Sequence, residues 1–309
     1  TGCSKIVPSE PTFTLIDSSN LPPSDTEVII EGLSPCTTST DTTLRLNSKE
    51  PVTVIVHGCK SSAARFRALA QVFAFHGQQT FCFNYDDRDS LMESSARLID
   101  ALHSLSKAVR NHEITVIGHS QGGLVSRKAL VGERDEIFSA DHTSVRLVTV
   151  SAPYAGISAA NHCASTTVRF LTLGLAVPIC KLISGDKWYE ITQPSPFIQR
   201  PGKLLDQVSS HLKIVTDETN SCRRYEKDIC VEDDYVFSLN EQYFEPIDKA
   251  ENVNNIEIQA GHAEIVGDYN VKPEKLIKLL QDLGIMRSTL PEQEKRLLGL
   301  LTQLYSSAP

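Results

Sequence analysis

The sequence predicts an α/β fold built on a mainly parallel central sheet with helices on both faces. From residue 51 onward, short apolar runs alternate with stretches of helical periodicity, as expected for strands connected by helices. The first apolar run, Val52–Val56, contains only β-branched residues, which is typical of a strand buried on both faces. A third observation is the stretch ITVIGHSQGGL at 114–124, where a strand-forming run ends in glycine and serine before a helix begins.

The elements alternate regularly along the middle of the chain. The helix after the second strand shows the periodicity clearly, because Leu98, Leu102, Leu105 and Val109 fall on one face. The predicted strands cover residues 52–56, 80–85, 114–117, 145–150, 212–215 and 256–258. The predicted helices cover residues 61–75, 91–110, 121–130 and 273–283, and a last one starts near Pro291.

Three segments depart from this alternation. Residues 1–50 are rich in Ser, Thr and Pro and contain short strand-like runs, so we expect an N-terminal arm with edge strands. The main domain then covers residues 51–285. Within it, the irregular stretch at about 155–205 is expected to be a lid-like insertion over the C-terminal edge of the sheet. Residues 286–309 are predicted to form a C-terminal amphipathic helix that docks on the domain.

The composition argues against some classes of function. With 38 acidic and 30 basic residues, the formal net charge is −8, and no cluster of positive residues that would bind nucleic acid is visible. No apolar run reaches the ~18 residues that a transmembrane helix needs. We therefore expect neither a nucleic-acid partner nor a membrane-spanning helix.

Cysteines are frequent, with eight in the chain, and none of them belongs to a CxxC pair, which argues against a zinc site. We expect disulfides and an oxidising compartment, so that the protein is secreted or belongs to the cell envelope. Cys82 lies in a predicted buried strand and is interpreted as a free core thiol. The expected bridges are Cys36–Cys59, Cys163–Cys180 and Cys222–Cys230.

Cys3 has two interpretations. The residues around it, Thr1–Ser4, resemble those that surround the lipid-modified cysteine of bacterial lipoproteins. Such a modification would attach the protein to a membrane surface. The alternative is a disulfide-bonded or free cysteine.

The stretch around Ser120 bears the strongest indication of chemistry. A phosphate-binding loop needs GxGxxG, or GxxxxGK followed by Ser or Thr, and Gly118, Gly122 and Gly123 match neither spacing. An ordinary connection needs no glycine on both sides of a small polar residue. A nucleophile elbow does, because its strained turn brings the backbone two residues before and after the nucleophile against its neighbours. We therefore predict that Ser120 is a nucleophile.

A nucleophilic serine needs a base within hydrogen-bonding reach and an acid that orients the base. On this type of fold the chain order is serine, acid, histidine. His262 follows the last predicted strand, no other histidine occurs beyond position 211, and it is the predicted base. The acid stays open at this point between Asp217, which follows a strand, and the neighbouring pair Asp233 and Asp234.

An acyl-transfer site also needs donors for the oxyanion. The backbone N–H of Gln121, directly after the nucleophile, is one predicted donor. The second is expected from the loop after the first buried strand, where we choose the N–H of Cys59, with Gly58 allowing the turn.

Four segments together carry a family resemblance: VIVHG at 54–58, GHSQGG at 118–123, SAPYAG at 151–156 and GHAEI at 261–265. They resemble the lipases and esterases of the α/β-hydrolase fold over about residues 50–285. QPSPFI at 193–198 is also similar to the segment that follows the lid insertion in bacterial triacylglycerol lipases.

The resemblance implies an α/β-hydrolase fold and an ester hydrolase that needs no cofactor. In those lipases the acid often lies in an Asp-x-x-Val stretch, which matches Asp233 and Val236 and makes Asp233 the preferred acid over Asp217 and then Asp234. Bacterial lipases carry a calcium-binding aspartate soon after the catalytic histidine. Here Ala-Glu-Ile-Val-Gly follows His262, so we expect no metal site.

These observations predict a serine carboxylic-ester hydrolase that acts through a Ser-His-Asp triad and an acyl-enzyme. The apolar run from Phe170 to Cys180 within the insertion favours lipid or other long-chain acyl esters as substrates, although core packing would explain it equally well. An acyltransferase with the same triad and a non-catalytic binding protein on a hydrolase scaffold are the alternatives.

Overall fold

A seven-stranded sheet organises the part of the chain that the structure describes. The structure is a computed structural model, and it describes residues 15–58, 60–132, 143–157, 188–268 and 271–306, of which residues 60–65 are described by their backbone alone. The strands in these ranges are β1 (Thr26–Val28), β2 (Leu33–Pro35), β3 (Leu44–Leu46), β4 (Val52–Val56), β5 (Gln79–Phe83), β6 (Glu113–His119), β7 (Ser144–Val150), β8 (Val208–Asp217), β9 (Cys222–Glu226), β10 (Ile229–Asp233) and β11 (Val253–Gln259).

The main sheet is parallel apart from one edge strand. Its strand order is β2-β5-β4-β6-β7-β8-β11, and β2 is the strand that runs antiparallel to its neighbour. The predicted mainly parallel sheet is thereby confirmed. Because the carboxyl ends of parallel strands meet at one edge of a sheet, the loops after β4, β6, β8 and β11 lie at the same edge.

Helices pack on both faces of the sheet, as predicted. On one face Leu98, Leu102 and Val125 join the strand side chains in one hydrophobic cluster, and on the other face Phe73, Leu280 and Leu301 join a second cluster. The helices of the described residues are α1 (Lys60–Phe75), α2 (Leu91–Ala108), α3 (Gln121–Ala129), α4 (Pro196–Gln199), α5 (Leu239–Gln242), α6 (Glu245–Asp248), α7 (Glu274–Asp282) and α8 (Glu294–Leu304).

The two ends of the described chain supply edge strands and a docked helix. β1 and β3 form a separate antiparallel pair, and β2 extends the main sheet beside β5. The last predicted helix corresponds to α8, which follows a 3₁₀ turn at Pro291–Gln293. Leu301 and Leu304 on α8 are buried in the same cluster as Phe73 of α1, which explains the amphipathic pattern.

The disulfides differ in part from the expectation. Cys222 and Cys230 form the predicted bridge. The interpretation of Cys82 as a free thiol is wrong, because Cys82 is bonded to Cys36 across a Cα–Cα distance of 5.0 Å. Antiparallel pairing sets Ser34 of β2 opposite Cys82 of β5 and brings Cys36 alongside, so the predicted Cys36–Cys59 bridge is wrong as well. Cys3, Cys59, Cys163 and Cys180 lie outside the described residues.

The return from the predicted insertion is anchored on α2. Residues 158–187, most of the predicted lid-like insertion, lie outside the described residues. The chain resumes with a 3₁₀ turn at Trp188–Ile191, in which Glu190 accepts hydrogen bonds from the Ser90 hydroxyl (2.8 Å) and the Leu91 N–H (2.6 Å). Across the described ranges, no helix is both long enough and apolar enough to cross a bilayer.

Candidate active site

Ser120 occupies the predicted turn between a strand and a helix. It follows β6 directly and precedes α3, with φ of 56° and ψ of −127°. A serine in this region of backbone space is strained by about 1–3 kcal/mol, so the surrounding structure has to hold it there. Its N–H donates to the carbonyl oxygen of Val150 at 2.8 Å, which ties the turn to β7.

The glycines that flank Ser120 are required by close backbone contacts. A Cβ atom at Gly118 would lie 2.5 Å from the carbonyl oxygen of Gly122, and one at Gly122 would overlap the carbonyl oxygen of Val56. The predicted reason for the Gly-x-Ser-x-Gly spacing is therefore confirmed. Gly58, in the loop after β4, has the same role from the other side, because its Cβ would lie 2.9 Å from the Cβ of Ser120.

His262 lies in the loop after β11, beside the Ser120 turn. Its ring packs against the ring of His119, at a centroid distance of 4.7 Å, and makes a T-shaped contact with the ring of Phe237, at 4.9 Å. The Nε2 atom of His119 also contacts the His262 carbonyl oxygen at 3.0 Å. Since His119 directly precedes Ser120, these contacts bring the His262 loop to the nucleophile turn.

The acid that faces His262 is a glutamate that the sequence reasoning missed. Glu218 Oε1 lies 2.9 Å from Nδ1 of His262, and the Glu218 side chain is completely buried. The same carboxylate accepts hydrogen bonds from the Thr216 hydroxyl (3.1 Å) and from the backbone N–H groups of Val236 (2.6 Å) and Phe237 (2.8 Å). These donors hold the carboxylate in place, and its contact with the imidazole fits the tautomer that carries its proton on Nδ1.

The preferred acid, Asp233, is wrong as the partner of His262. Its carboxylate is exposed and accepts from the N–H of Tyr235 at 3.0 Å. Asp217 is also at the surface, where hydrogen bonds from Thr219 lower the pKa of its carboxyl. The side chains of consecutive residues in a strand point to opposite sides. At the end of β8, the side chain of Asp217 therefore points to the solvent and that of Glu218 points into the protein.

Asp234, the third candidate, is buried but serves the loop backbone rather than the imidazole. Its carboxylate accepts from the N–H groups of Ala263 (3.0 Å) and Glu264 (2.9 Å). The single indication of Glu218 in the sequence is its position shortly after the strand predicted at 212–215, a position that it shares with Asp217.

Of the two predicted oxyanion donors, the structure describes Gln121 but not Cys59. Gln121 begins α3, so its backbone N–H belongs to the first turn, whose N–H groups have no acceptor within the helix. Its side-chain amide donates a hydrogen bond to the Asp87 carbonyl oxygen at 3.0 Å. Cys59 lies outside the described residues, but the preceding Gly58 is packed against Ser120, which places the start of that loop beside the nucleophile.

Tyr85 fixes the loop after β4. Its hydroxyl donates to the carbonyl oxygen of His57 at 2.6 Å, and its ring stacks on the His57 ring at 4.8 Å. Burial lowers the pKa of His57, which favours the neutral form of this imidazole. In the ranges that the structure covers, no group of three or more His, Cys, Asp or Glu residues could hold a metal ion.

Comparisons with known proteins agree with this geometry. The sequence profile of the family described as Lipase (class 2) matches residues 49–253, more than half of the 309-residue chain. A search of curated proteins gives no match.

Two solved structures of the Bacillus licheniformis lipase BlEst2 are among the similar folds. The propeptide form is 14% identical and aligns with 85% of this chain and 53% of its own, with a TM-score of 0.50. The mature form is also 14% identical and aligns with 76% of this chain and 92% of its own, with a TM-score of 0.49. At this identity the likeness concerns the fold. On the strength of the family match, this chain belongs to the class 2 lipase family, has the α/β-hydrolase fold, and is a carboxylic-ester hydrolase.

Proposed function

We propose that this chain hydrolyses acyl esters of lipids through a covalent acyl-enzyme, with Ser120 as the nucleophile, His262 as the general base and Glu218 as the orienting acid. The observation that carries the proposal is the 2.9 Å contact between the buried Glu218 carboxylate and Nδ1 of His262, beside a serine on a strained turn. In this proposal the buried carboxylate of Glu218 has the role that the sequence predicts for an aspartate.

The proposed reaction follows from the hydrogen bonds of His262. Because Glu218 accepts from Nδ1, the Nε2 atom of the neutral ring is free to take the Ser120 proton as Oγ attacks the ester carbonyl. The negative charge that develops on the carbonyl oxygen would be stabilised by the N–H of Gln121 and a second donor expected from Cys59. His262 then protonates the leaving alcohol, and a water molecule activated by the same Nε2 hydrolyses the acyl-enzyme.

The lipid part of the proposal rests on the family and on the sequence of the predicted insertion. The class 2 lipase profile matches residues 49–253, and the sequence of the predicted insertion contains the apolar run from Phe170 to Cys180. A short-chain esterase would have less need of such a segment.

The test combines a covalent probe with a substrate series. A fluorophosphonate should label Ser120 in the folded protein, and Ser120→Ala should abolish labelling and lower kcat by roughly 10⁴-fold or more. Nitrophenyl esters from acetate to palmitate, together with triacylglycerols and phospholipids, should give a kcat/KM that rises with acyl length. No label on Ser120 would exclude the nucleophile, and a maximum at acetate would exclude the lipid preference. Acyl transfer to an added alcohol in preference to water would identify an acyltransferase instead.

We also propose that the protein works in an oxidising compartment, either secreted or in the cell envelope. The Cys36–Cys82 and Cys222–Cys230 bridges support this location, because disulfides persist outside the reducing cytosol. Alkylation of the protein from its native source, with and without prior reduction, tests this proposal. Four thiols alkylated at these positions without reduction would contradict it.

A further inference from the structure

One arginine joins the β9–β10 hairpin to the loop that carries His262. The guanidinium of Arg223 donates through Nη2 to Oδ1 of Asp234 at 3.0 Å. On another side, its Nε lies 3.0 Å from Oδ2 of Asp268, and Nη1 lies 3.6 Å from Oε1 of Glu232. The side chains of Asp234 and Asp268 are only 2% and 4% exposed, so one guanidinium compensates two buried carboxylates.

Asp234 connects Arg223 to the backbone around His262. Besides accepting from Ala263 and Glu264, it accepts the His262 N–H on its main-chain oxygen at 3.0 Å. The fit is tight, because a Cβ atom at Gly261 would overlap Oδ2 of Asp234. The backbone of three consecutive residues from His262 onward is thus held by Asp234.

The segment after Asp234 also places the acid. Val236 and Phe237 donate their N–H groups to Oε2 of Glu218, and the Phe237 ring packs against the His262 ring. A displacement of Asp234 would therefore disturb both members of the Glu218–His262 pair through one short stretch of chain.

Removal of the Arg223 charge would leave Asp234 and Asp268 buried without the cation they share. Buried carboxylates that lose their cationic partner are strongly destabilised, and the site relaxes by moving the charges apart or admitting water. Asp268 follows the 3₁₀ turn at Glu264–Val266, so this relaxation would act on both ends of the His262 loop.

We infer that Arg223 is a positioning residue for the hydrolytic reaction. Through its contacts with Asp234 and Asp268, it holds the His262 loop and the 234–237 segment in their positions relative to each other. The inference rests on the proposed role of His262 as the base. Arg223 touches neither Ser120 nor the His262 ring through any contact that the structure records, so its effect on the reaction is indirect.

The neighbouring Arg224 provides a matched control. It lies on the same strand, is about half exposed, and pairs with Glu226 and Glu232 rather than with the buried aspartates. Arg223→Met and Arg224→Met therefore remove the same side-chain charge from adjacent positions. Arg223→Lys keeps a charge but has no planar fork with which to contact two carboxylates at once.

We expect Arg223→Met to lower kcat about 10–100-fold with KM within twofold of the wild type, because a displacement of ~1 Å in a positioned group has effects of this size. The fluorophosphonate labelling rate of Ser120 should fall in parallel, since it depends on the same base. Arg223→Lys should recover part of the loss, and Arg224→Met should match the wild type. Each rate is divided by the concentration of active sites, which is measured by titration with the fluorophosphonate. Unfolded protein therefore does not contribute to the rates.

Two results would overturn the inference. The first is an Arg223→Met protein whose kcat and labelling rate equal those of Arg224→Met while only its melting temperature is lower. The second applies if Arg223→Met does not fold: an Arg223→Lys protein that folds and retains the full wild-type kcat. A wild-type protein that hydrolyses no ester would instead refute the proposed function, so the two failures are distinguishable.

Discussion

At the residue scale, Glu218 should determine how well His262 works as a base. Glu218→Gln keeps the size of the side chain but replaces the carboxylate that fixes the imidazole tautomer, so kcat should fall by ~10²–10⁴-fold. The measurement is kcat for a nitrophenyl ester at neutral pH, compared with Asp233→Asn and Asp217→Asn as controls. Both controls should stay within about twofold of the wild type, because their carboxylates contact Tyr235 and Thr219 rather than His262. An Asp233→Asn protein as impaired as Glu218→Gln would contradict the assignment.

The same residues show what could be predicted from sequence. Ser120 and its flanking glycines follow from local constraints, since the backbone contacts that demand glycine lie within a few residues or on the adjacent strand. Glu218 depends on which side of β8 its last residues face and on N–H groups from residues 236 and 237. Such long-range contacts leave no pattern in one sequence, and the family pattern that favoured Asp233 led to the wrong acid.

At the element scale, the β9–β10 hairpin is the feature that sequence periodicity did not predict. Its strands are short and mostly exposed, and charged residues interrupt the alternation that would mark a strand. What did predict a local loop was the spacing of Cys222 and Cys230. The bridge joins the two strands of the hairpin and Arg223 lies on the first of them, so both constrain the same element.

Removal of this bridge tests the hairpin as an element. In the chain-entropy picture, a disulfide between residues eight positions apart contributes about 2–3 kcal/mol to the free energy of unfolding. Cys222→Ser/Cys230→Ser should lower that free energy by up to this amount in urea denaturation. It should also lower kcat, although less than Arg223→Met does, because Arg223 still binds Asp234. Unchanged stability together with unchanged kcat would show that the bridge constrains nothing of consequence.

At the scale of the whole molecule, the parallel sheet could be predicted, but the pairing of its antiparallel edge strand could not. Apolar runs such as the β-branched Val52–Val56 indicate buried strands, and their alternation with helices predicts a parallel arrangement. β2 is three residues long and joins the sheet antiparallel, so its register with β5 is visible only in three dimensions. The wrong interpretation of Cys82 as a free thiol has the same cause, because its partner Cys36 comes just after β2.

The Cys36–Cys82 bridge should therefore stabilise the molecule without taking part in the reaction. It connects residues 46 positions apart, for which the chain-entropy picture gives a contribution of about 4 kcal/mol to the free energy of unfolding. Strain in the folded protein or residual structure in the unfolded chain usually reduces this contribution. We expect Cys36→Ser/Cys82→Ser to lower the free energy of unfolding by about 2–4 kcal/mol in urea denaturation. The kcat per titrated active site should stay within about twofold of the wild type, because neither cysteine contacts Ser120, Glu218 or His262 in the described residues. A fall in kcat without a loss of stability would contradict this expectation and would mean that the sheet edge is coupled to the active site.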